Sequence, residues 1–376
     1  MADEPIPLFN LQAPYQALKP RLHQAVLEAL NSNQWLLGPQ TAQFEEEFAQ
    51  LIGVKHCIAC SGGGALHLAL RAAGIGPGDE VITTPFAFST TAASVALTGA
   101  DFVFADIDPR TYTLDVQDAE RKITKNTKAI LPVHLYGYPA NMEAIMHLAN
   151  EHGLKVIEGC SQAILSQADG VCVGGIGTAG AFSFYPGNNV SACANAGCVT
   201  TNDDELAAAA RALRHCGSAT DDPNSYICDG YPLCMDEVQA AMLRVQLPLL
   251  EQWTDARRKA AAWYEEGLCG VPVTLPPTPP AGWSQAFSLY TIRAERRDEL
   301  MAYLRQHGIG CAVYYPAALY SQPVYAHLQL NPQDYPHTQQ ACQEVLSLPM
   351  FPEITPEQVQ RVCDVIRAFY EQDATV

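Results

Sequence analysis

The sequence predicts an α/β protein, with a large domain on a mostly parallel sheet and a smaller C-terminal α+β domain. Three observations carry this prediction. Short apolar runs alternate with helix-spaced segments through the first two thirds of the chain. At 376 residues and 48% hydrophobic content, the chain can fill one large core and a second, smaller one. A proline-rich stretch at 271–282, VPVTLPPTPPAG, reads as a linker or extended crossing, and strand and helix signals resume beyond it. The division expected is a large domain over 1–250, N-terminal segment included, and a small domain over 251–376.

Taken in order, residues 12–53 read as helices. FEEEFAQLIG (44–53) has apolar positions at helical spacing and ends on Gly53. A short strand at 57–60 runs into a Ser-Gly-Gly-Gly turn, an Ala/Leu-rich helix, a Gly-Pro-Gly-Asp turn and a second strand. Further strands fall at 102–106, 129–133 and 155–158, the last after a helix at 142–153. Such alternation implies a parallel sheet covered on both faces, with ligands beyond its C-terminal strand ends. The turns after Cys60, Thr84, Leu135 and Glu158 would then rim one pocket. Helices follow at 235–250 and 256–268. Past the linker come a strand at 287–293, a helix at 297–308 and a terminal helix from 355 to about 372. No internal repeat or low-complexity tract is evident.

Composition narrows the function. The formal charge of −18, from 40 acidic and 22 basic residues, disfavours binding to phosphate backbones, so no nucleic-acid partner is expected. No apolar run reaches the roughly 18 residues needed to span a bilayer, and MADEPIPLFN has no apolar signal core. A cytoplasmic protein is expected. The thirteen cysteines are irregularly spaced and read as free thiols. Cys57 and Cys60 form a single CxxC without a second pair, so no metal is expected.

Several stretches together are more specific: SGGGALHLAL, GIGPGDEVITTPFAFSTTAASV, FADIDPRTYTLD, ILPVHLYGYPANM, KVIEGCSQA, AFSFYPGNN, GCVTTND, MDEVQAAMLRVQL and VYYP. In this order, from near residue 6 to near 370, the chain resembles the DegT–StrS family of pyridoxal-phosphate (PLP) dependent nucleotide-sugar aminotransferases. The resemblance implies the fold type I architecture, with a seven-stranded-type sheet, and usually a dimer with sites at the subunit interface. It places Ser61, Gly62 and Gly63 at a phosphate cradle, a helix-opening turn suited to an anion. It places Phe88 against the ring face, Gln162 near the ring hydroxyl and Ser183 on the phosphate. The family usually has threonine where Gly63 stands.

Other positions depart from the family. Asn188, in AFSFYPGNN, stands where the family carries its Schiff-base lysine, the amine that binds PLP. Gly159, in VIEGCSQA, stands where it carries the aspartate that pairs with the pyridine nitrogen. Pro232 and Cys234 replace the asparagine and arginine of an Asn-aromatic-Arg motif, Cys216 a histidine and Asn195 an aspartate. The losses are all toward neutral residues, so the expectation is a pocket that drifted as a unit away from PLP chemistry. On that view the chain is a repurposed, PLP-independent enzyme or ligand-binding protein in amino-sugar or specialised-metabolite biosynthesis. It holds no cofactor covalently, and PLP or pyridoxamine phosphate (PMP) at most weakly. Two alternatives stand beside it: a silent subunit paired with an active paralogue, and a lysine-less PLP/PMP-dependent aminotransferase or dehydratase. Ligand-contacting candidates are Ser61, Gly62, Gly63, Phe88, Gly159, Gln162, Ser183 and Asn188. Catalytic candidates are Asn188, Cys160, Tyr185 and Tyr314, against bland readings as a vestigial amide, an inert thiol and packing tyrosines. Cys160, Cys216 and Cys234 could converge as thiolates, although space-filling is the simpler account. The ligand expected is small and sugar-like, in a homodimer or in a heterodimer with a paralogue.

Overall fold

The computed structural model describes residues 4–219 and 224–372. Helix α1 (Gln12–Asn31) and α2 (Pro39–Ile52) lead into β1 (His56–Cys60). After it come α3 (Ala65–Ala72), β2 (Glu80–Thr83), α4 (Thr90–Ala96), β3 (Asp101–Phe104), α5 (Val116–Arg121), β4 (Thr127–Leu131), α6 (Met142–His152) and β5 (Lys155–Gly159). A two-residue hairpin, β6 (Gln167–Ala168) and β7 (Val171–Cys172), precedes β8 (Ala179–Ser183), β9 (Gly197–Thr201) and α7 (Asp204–Arg214). The chain continues through α8 (Glu237–Gln246), α9 (Leu250–Gly267), β10 (Tyr290–Arg293), α10 (Arg297–Gln306), α11 (Pro336–Glu344), β11 (Val345–Leu348) and α12 (Pro356–Glu371).

Seven strands form one sheet in the order β1-β9-β8-β5-β4-β2-β3. The pairs from β8 through β5, β4 and β2 to β3 are parallel. Only β9 runs against its neighbours, pairing antiparallel with both β1 and β8. Strand β1 therefore points the same way as β8, β5, β4 and β2. The C-terminal ends of these five strands, at Cys60, Ser183, Gly159, Leu131 and Thr83, share one edge of the sheet. The central strands bury both faces, as a crossover sheet requires.

Strands β10 and β11 pair antiparallel in a second, two-stranded sheet. Its core draws on α9, α10 and α12 and includes Tyr264, Ile292, Leu300, Leu346 and Ile366. Ile6 joins that core, and its N–H donates to the Gly308 carbonyl at 2.9 Å. The helix read at 235–250 ends earlier: α8 stops at Gln246, and a 3-10 turn at Leu247–Leu249 leads straight into α9. Pro248 explains the break, since it offers no N–H to continue the α ladder. The strand read at 287–293 begins only at Tyr290. Residues 271–282 contain no helix and no extended strand pairing.

Candidate active site

The strand ends assemble the sequence candidates from distant parts of the chain. After β1, Ser61 opens a short 3-10 turn, Gly62–Gly64, that feeds directly into α3. The Ser61 N–H is tied to the Leu233 carbonyl at 2.8 Å, and the Gly64 N–H donates to the Ser61 carbonyl at 2.9 Å. Gly62 must be glycine, since a Cβ there would lie 2.3 Å from the Ala196 carbonyl oxygen on the neighbouring segment. At Gly63 a Cβ would meet nothing within 4 Å. The turn is closed on its sheet side and open at its tip, the shape of an anion cradle.

Around this turn, β8 ends on Ser183 and the loop after it folds back. The Asn188 Nδ2–H donates to the Ser183 carbonyl at 2.7 Å, and the Asn188 N–H donates to the Tyr185 carbonyl at 3.0 Å. The Ser183 hydroxyl accepts the Tyr185 N–H at 3.3 Å. From the end of β5, Gln162 accepts the Tyr136 N–H at 2.7 Å and donates to the Tyr315 hydroxyl at 3.5 Å. Phe88 is 58% exposed with its ring 6.4 Å from that of Tyr315, and Tyr185 is 61% exposed. Both leave large aromatic surface open after strands that end on this edge of the sheet. Burial pushes the Tyr315 and Tyr314 phenols up, so both stay protonated at neutral pH.

Two further candidates sit differently. Gly159 is the last residue of β5 and offers no carboxylate, yet a Cβ there would meet the Pro132 carbonyl oxygen at 3.3 Å and Val133 Cγ2 at 3.4 Å. The site has room for a side chain after a small adjustment. Cys160 is fully buried, with its thiol on the Glu158 carbonyl and pushed well up by burial and by Glu158, so no thiolate forms there. Cys216 is exposed and Cys234 half-buried, and they form no ligand cluster with Cys160 among the described residues.

The residue missed at this edge is Glu158, one position before Gly159. It is completely buried and accepts N–H bonds from Gly174, Ile176 and Gly177 at 2.7–3.0 Å, with His134 Nε2 at 3.1 Å. His134 Nδ1 accepts the Ala140 N–H at 2.9 Å, which fixes the proton on Nε2. With Cys160 the two side chains bring three ligand-type atoms within 4.8 Å of one another. Every one of those atoms already has a protein partner, so the cluster reads as a structural lock. The sequence signal was available: a glutamate inside the apolar strand KVIEG.

A large-domain sheet with a glycine cradle, an open aromatic face and a glutamine at its strand ends defines the class of pyridoxal-type aminotransferase folds. The chain belongs to the DegT/DnrJ/EryC1/StrS aminotransferase family, whose pattern it matches over residues 16–367. It is 45% identical to a pleiotropic regulatory protein of Geobacillus stearothermophilus, covering 98% of this chain and all of that protein. It is 43% identical to the UDP-N-acetyl-3-dehydro-alpha-D-glucosamine 3-aminotransferase of Acidithiobacillus ferrooxidans, covering 96% and 97%. It is 38% identical to the dTDP-3-amino-3,4,6-trideoxy-alpha-D-glucose transaminase of Streptomyces venezuelae, covering 98% and 97%. Among solved structures, S. venezuelae DesV in complex with a ketimine intermediate superposes with a TM-score of 0.95 at 38% identity, covering 98% and 99%. Bacillus subtilis NtdA with bound PMP superposes with a TM-score of 0.85 at 30% identity, covering 93% and 82%.

These likenesses correct the expectation of a PLP-independent, repurposed protein: relatives alike over nearly the whole chain are named as sugar aminotransferases. They correct the cofactor expectation too, since structures of this fold hold PMP and a ketimine intermediate, which makes PLP chemistry the expectation here. Asn188 and Gly159 therefore do not mark a chain that has left that chemistry. The alternative of a PLP/PMP-dependent aminotransferase without the usual lysine is the one these likenesses favour.

The residues present fit the cofactor's phosphate and one face of its ring, whereas Gly159 offers no carboxylate to the ring nitrogen and Asn188 no amine for a Schiff base. The tip of the cradle at Gly63 is unfilled, Ser183 ends β8, two places from β1 in the sheet, and the Phe88 face is uncovered. Among the described residues no helix is long and apolar enough to cross a membrane.

Proposed function

We propose that the chain transfers an amino group to a keto carbon of a nucleotide-linked hexose, using a pyridoxal-type cofactor seated between the Ser61–Gly64 turn and Phe88. The observation that carries this is its likeness, over 96–98% of its length, to transaminases named for 3-amino and 3-dehydro sugars linked to UDP or dTDP. The open cradle and exposed aromatic face support it from the structure. When bound, the cofactor supplies the transferable amine and an electron-withdrawing ring.

The chain's own residues have separable tasks. The amides of the cradle and the Ser183 hydroxyl would hold the phosphate. Phe88 would cover one ring face, and Gln162, oriented by Tyr136 and Tyr315, would address the ring hydroxyl. Asn188 steadies the loop through the Ser183 carbonyl. Its carboxamide has no basic nitrogen at neutral pH, so a proton moved at this site rests on another atom. Burial pushes the Tyr314 phenol up, so it is neutral at neutral pH. A cytoplasmic setting and a homodimer belong to the same reading, and the described cysteines are all free thiols.

The test uses the full-length protein with PMP and a UDP- or dTDP-linked 3-keto hexose. Saturable PMP binding by absorbance, and an aminated nucleotide sugar by mass spectrometry, are expected. Failure to bind PMP, together with no aminated product, rejects the reading.

A further inference from the structure

Strand β1 lies at the edge of the seven-stranded sheet and leads into the Ser61–Gly64 turn. Three charged side chains take up the backbone groups on its free side. Glu45 of α2 accepts the Ala59 N–H at 2.9 Å, and Arg214 of α7 donates to the Ala59 carbonyl at 2.7 Å. Arg211 of α7 donates to the Cys57 carbonyl at 3.4 Å. Both arginines also pair with the same carboxylate, Arg211 with Oε2 at 2.7 Å and Arg214 with Oε1. Further along this edge the Ser61 N–H goes to the Leu233 carbonyl at 2.8 Å, and the Leu233 N–H goes to the Arg214 carbonyl at 3.0 Å. Leu233 packs on the turn itself, since a Cβ at Gly64 would lie 2.8 Å from its Cδ1. Arg214 thus holds both the strand that enters the cradle and the segment that backs it.

Capping a strand edge needs one donor and one acceptor, which Arg214 and Glu45 already supply. The second arginine goes beyond that need: two guanidiniums on one carboxylate leave one positive charge in excess. The Arg214 and Glu45 side chains are only 7% and 12% exposed, so water screens this charge less than it would on the surface. Ser61 is two residues from Ala59, about 7 Å along the strand. The turn, SGGG at 61–64, and the segment behind it, YPLC at 231–234, contain no cation of their own in a chain of net charge −18. The Cys60 thiol sits between the triad and the turn. Burial pushes it up, and among the charges acting on it the downward pull of Arg214 exceeds the opposing push of Glu45.

We propose that Arg211, Glu45 and Arg214 form a positioning triad that holds the Ser61–Gly64 turn in shape and supplies the positive charge behind it for a phosphate group. The triad touches the strand and not the anion. This rests on the reading of the turn as the seat of the cofactor phosphate, and asks nothing of the ring, the amine or the sugar.

Calorimetry on the full chain with inorganic phosphate and with PMP tests it. In a medium between protein and water, one charge roughly 10 Å from a dianion changes its affinity about tenfold. The parent is expected to bind both probes. Gly63→Asp, which sets a carboxylate at the open tip, should abolish both. Arg211→Met, at the more exposed end of the triad, leaves the Glu45–Arg214 pair in place and should weaken both about tenfold. Arg211→Lys should restore them to within about threefold, because it returns the charge. Glu45→Gln adds a positive charge and should tighten both severalfold, whereas a purely structural role for Glu45 requires it to weaken them. Circular dichroism checks the fold, and if Glu45→Gln does not fold, the two Arg211 variants decide. The proposal is overturned if the parent binds neither probe, if binding survives Gly63→Asp, if Arg211→Met binds unchanged, if lysine fails to rescue it, or if folded Glu45→Gln binds more weakly. PMP bound equally by the parent and the folded triad variants overturns the triad and leaves the aminotransferase reading standing. Triad-dependent binding of inorganic phosphate without any binding of PMP does the reverse.

Discussion

Glu158 has no full cation against it, and its charge is held by three backbone N–H groups and the Nε2–H of His134. That shell fixes the end of β5, the strand that presents Gly159 and Gln162 to the site. Glu158→Gln would turn an amide NH₂ toward donors that need an acceptor. The expected loss is about 3 kcal/mol, from one or more buried donors left unpaired. Urea denaturation reads it, and a loss under about 1 kcal/mol would show that the lock has slack. At this scale the sequence was informative about position: Ser61, Gly63, Phe88, Gln162, Ser183 and Asn188 all end or follow strands whose C-terminal ends share one sheet edge. It was less informative about what the gathering does. Asn188 and Gly159 read as signs of abandoned chemistry because a missing amine and carboxylate are visible in the chain. The open cradle tip and uncovered aromatic face are properties of space, visible only once folded.

Several elements are pinned by side chains remote in sequence. Helix α2 starts on Gly38, which has no side chain to cap it, and Glu237 accepts the N–H groups of Gly38, Gln40 and Thr41 instead. Asp106, after β3, accepts the His337 and Thr338 N–H groups at the start of α11. Local capping signals predicted neither, because the partners lie 196–232 positions apart. By contrast the local box at Thr355 and Gln358 opens α12 where the sequence placed its start. Asp118 of α5 offers a pH test at this scale. Its carboxylate accepts the Asp106 N–H at 2.7 Å and pairs with Lys122 at 2.9 Å and Arg121 at 3.1 Å. Burial favours the neutral acid, but these three partners outweigh it and hold the pKa below the ordinary 3.8. A depressed carboxylate stabilises fully above its unfolded pKa, and that contribution fades as pH falls through and below 3.8 toward the folded value. Asp118→Asn should therefore cost about 1–3 kcal/mol at pH 7, with the gap to the parent closing as pH drops toward 3. A gap that stays constant from pH 7 to pH 3 in parallel denaturant titrations would rule the charge out as its source.

On the scale of the whole molecule, the chain leaves apolar surface uncovered along its N-terminal helix. Leu18, Leu22 and Ala29 of α1 are buried, with Leu18 and Leu22 packed against Met242 of α8. Leu11, Tyr15, Leu27 and Leu30 face outward, followed by Trp35 at 62% exposure and Leu36. A twenty-residue helix is about 30 Å long, and these side chains lie at its two ends and on the turn after it, exposed apolar surface of the kind that marks an interface. Two copies related by a twofold axis would each cover the other's strip, burying the roughly 800 Å² per partner of a stable dimer. Light scattering at micromolar concentration should then give twice the 40.7 kDa chain mass. Leu27→Glu combined with Trp35→Glu places two charges on the strip while leaving the α8-facing side intact. That variant should run as a monomer with unchanged far-ultraviolet circular dichroism. A parent chain that is monomeric alone and associates only with a related chain would favour a mixed pair, and one monomeric under both conditions would remove the strip as an interface.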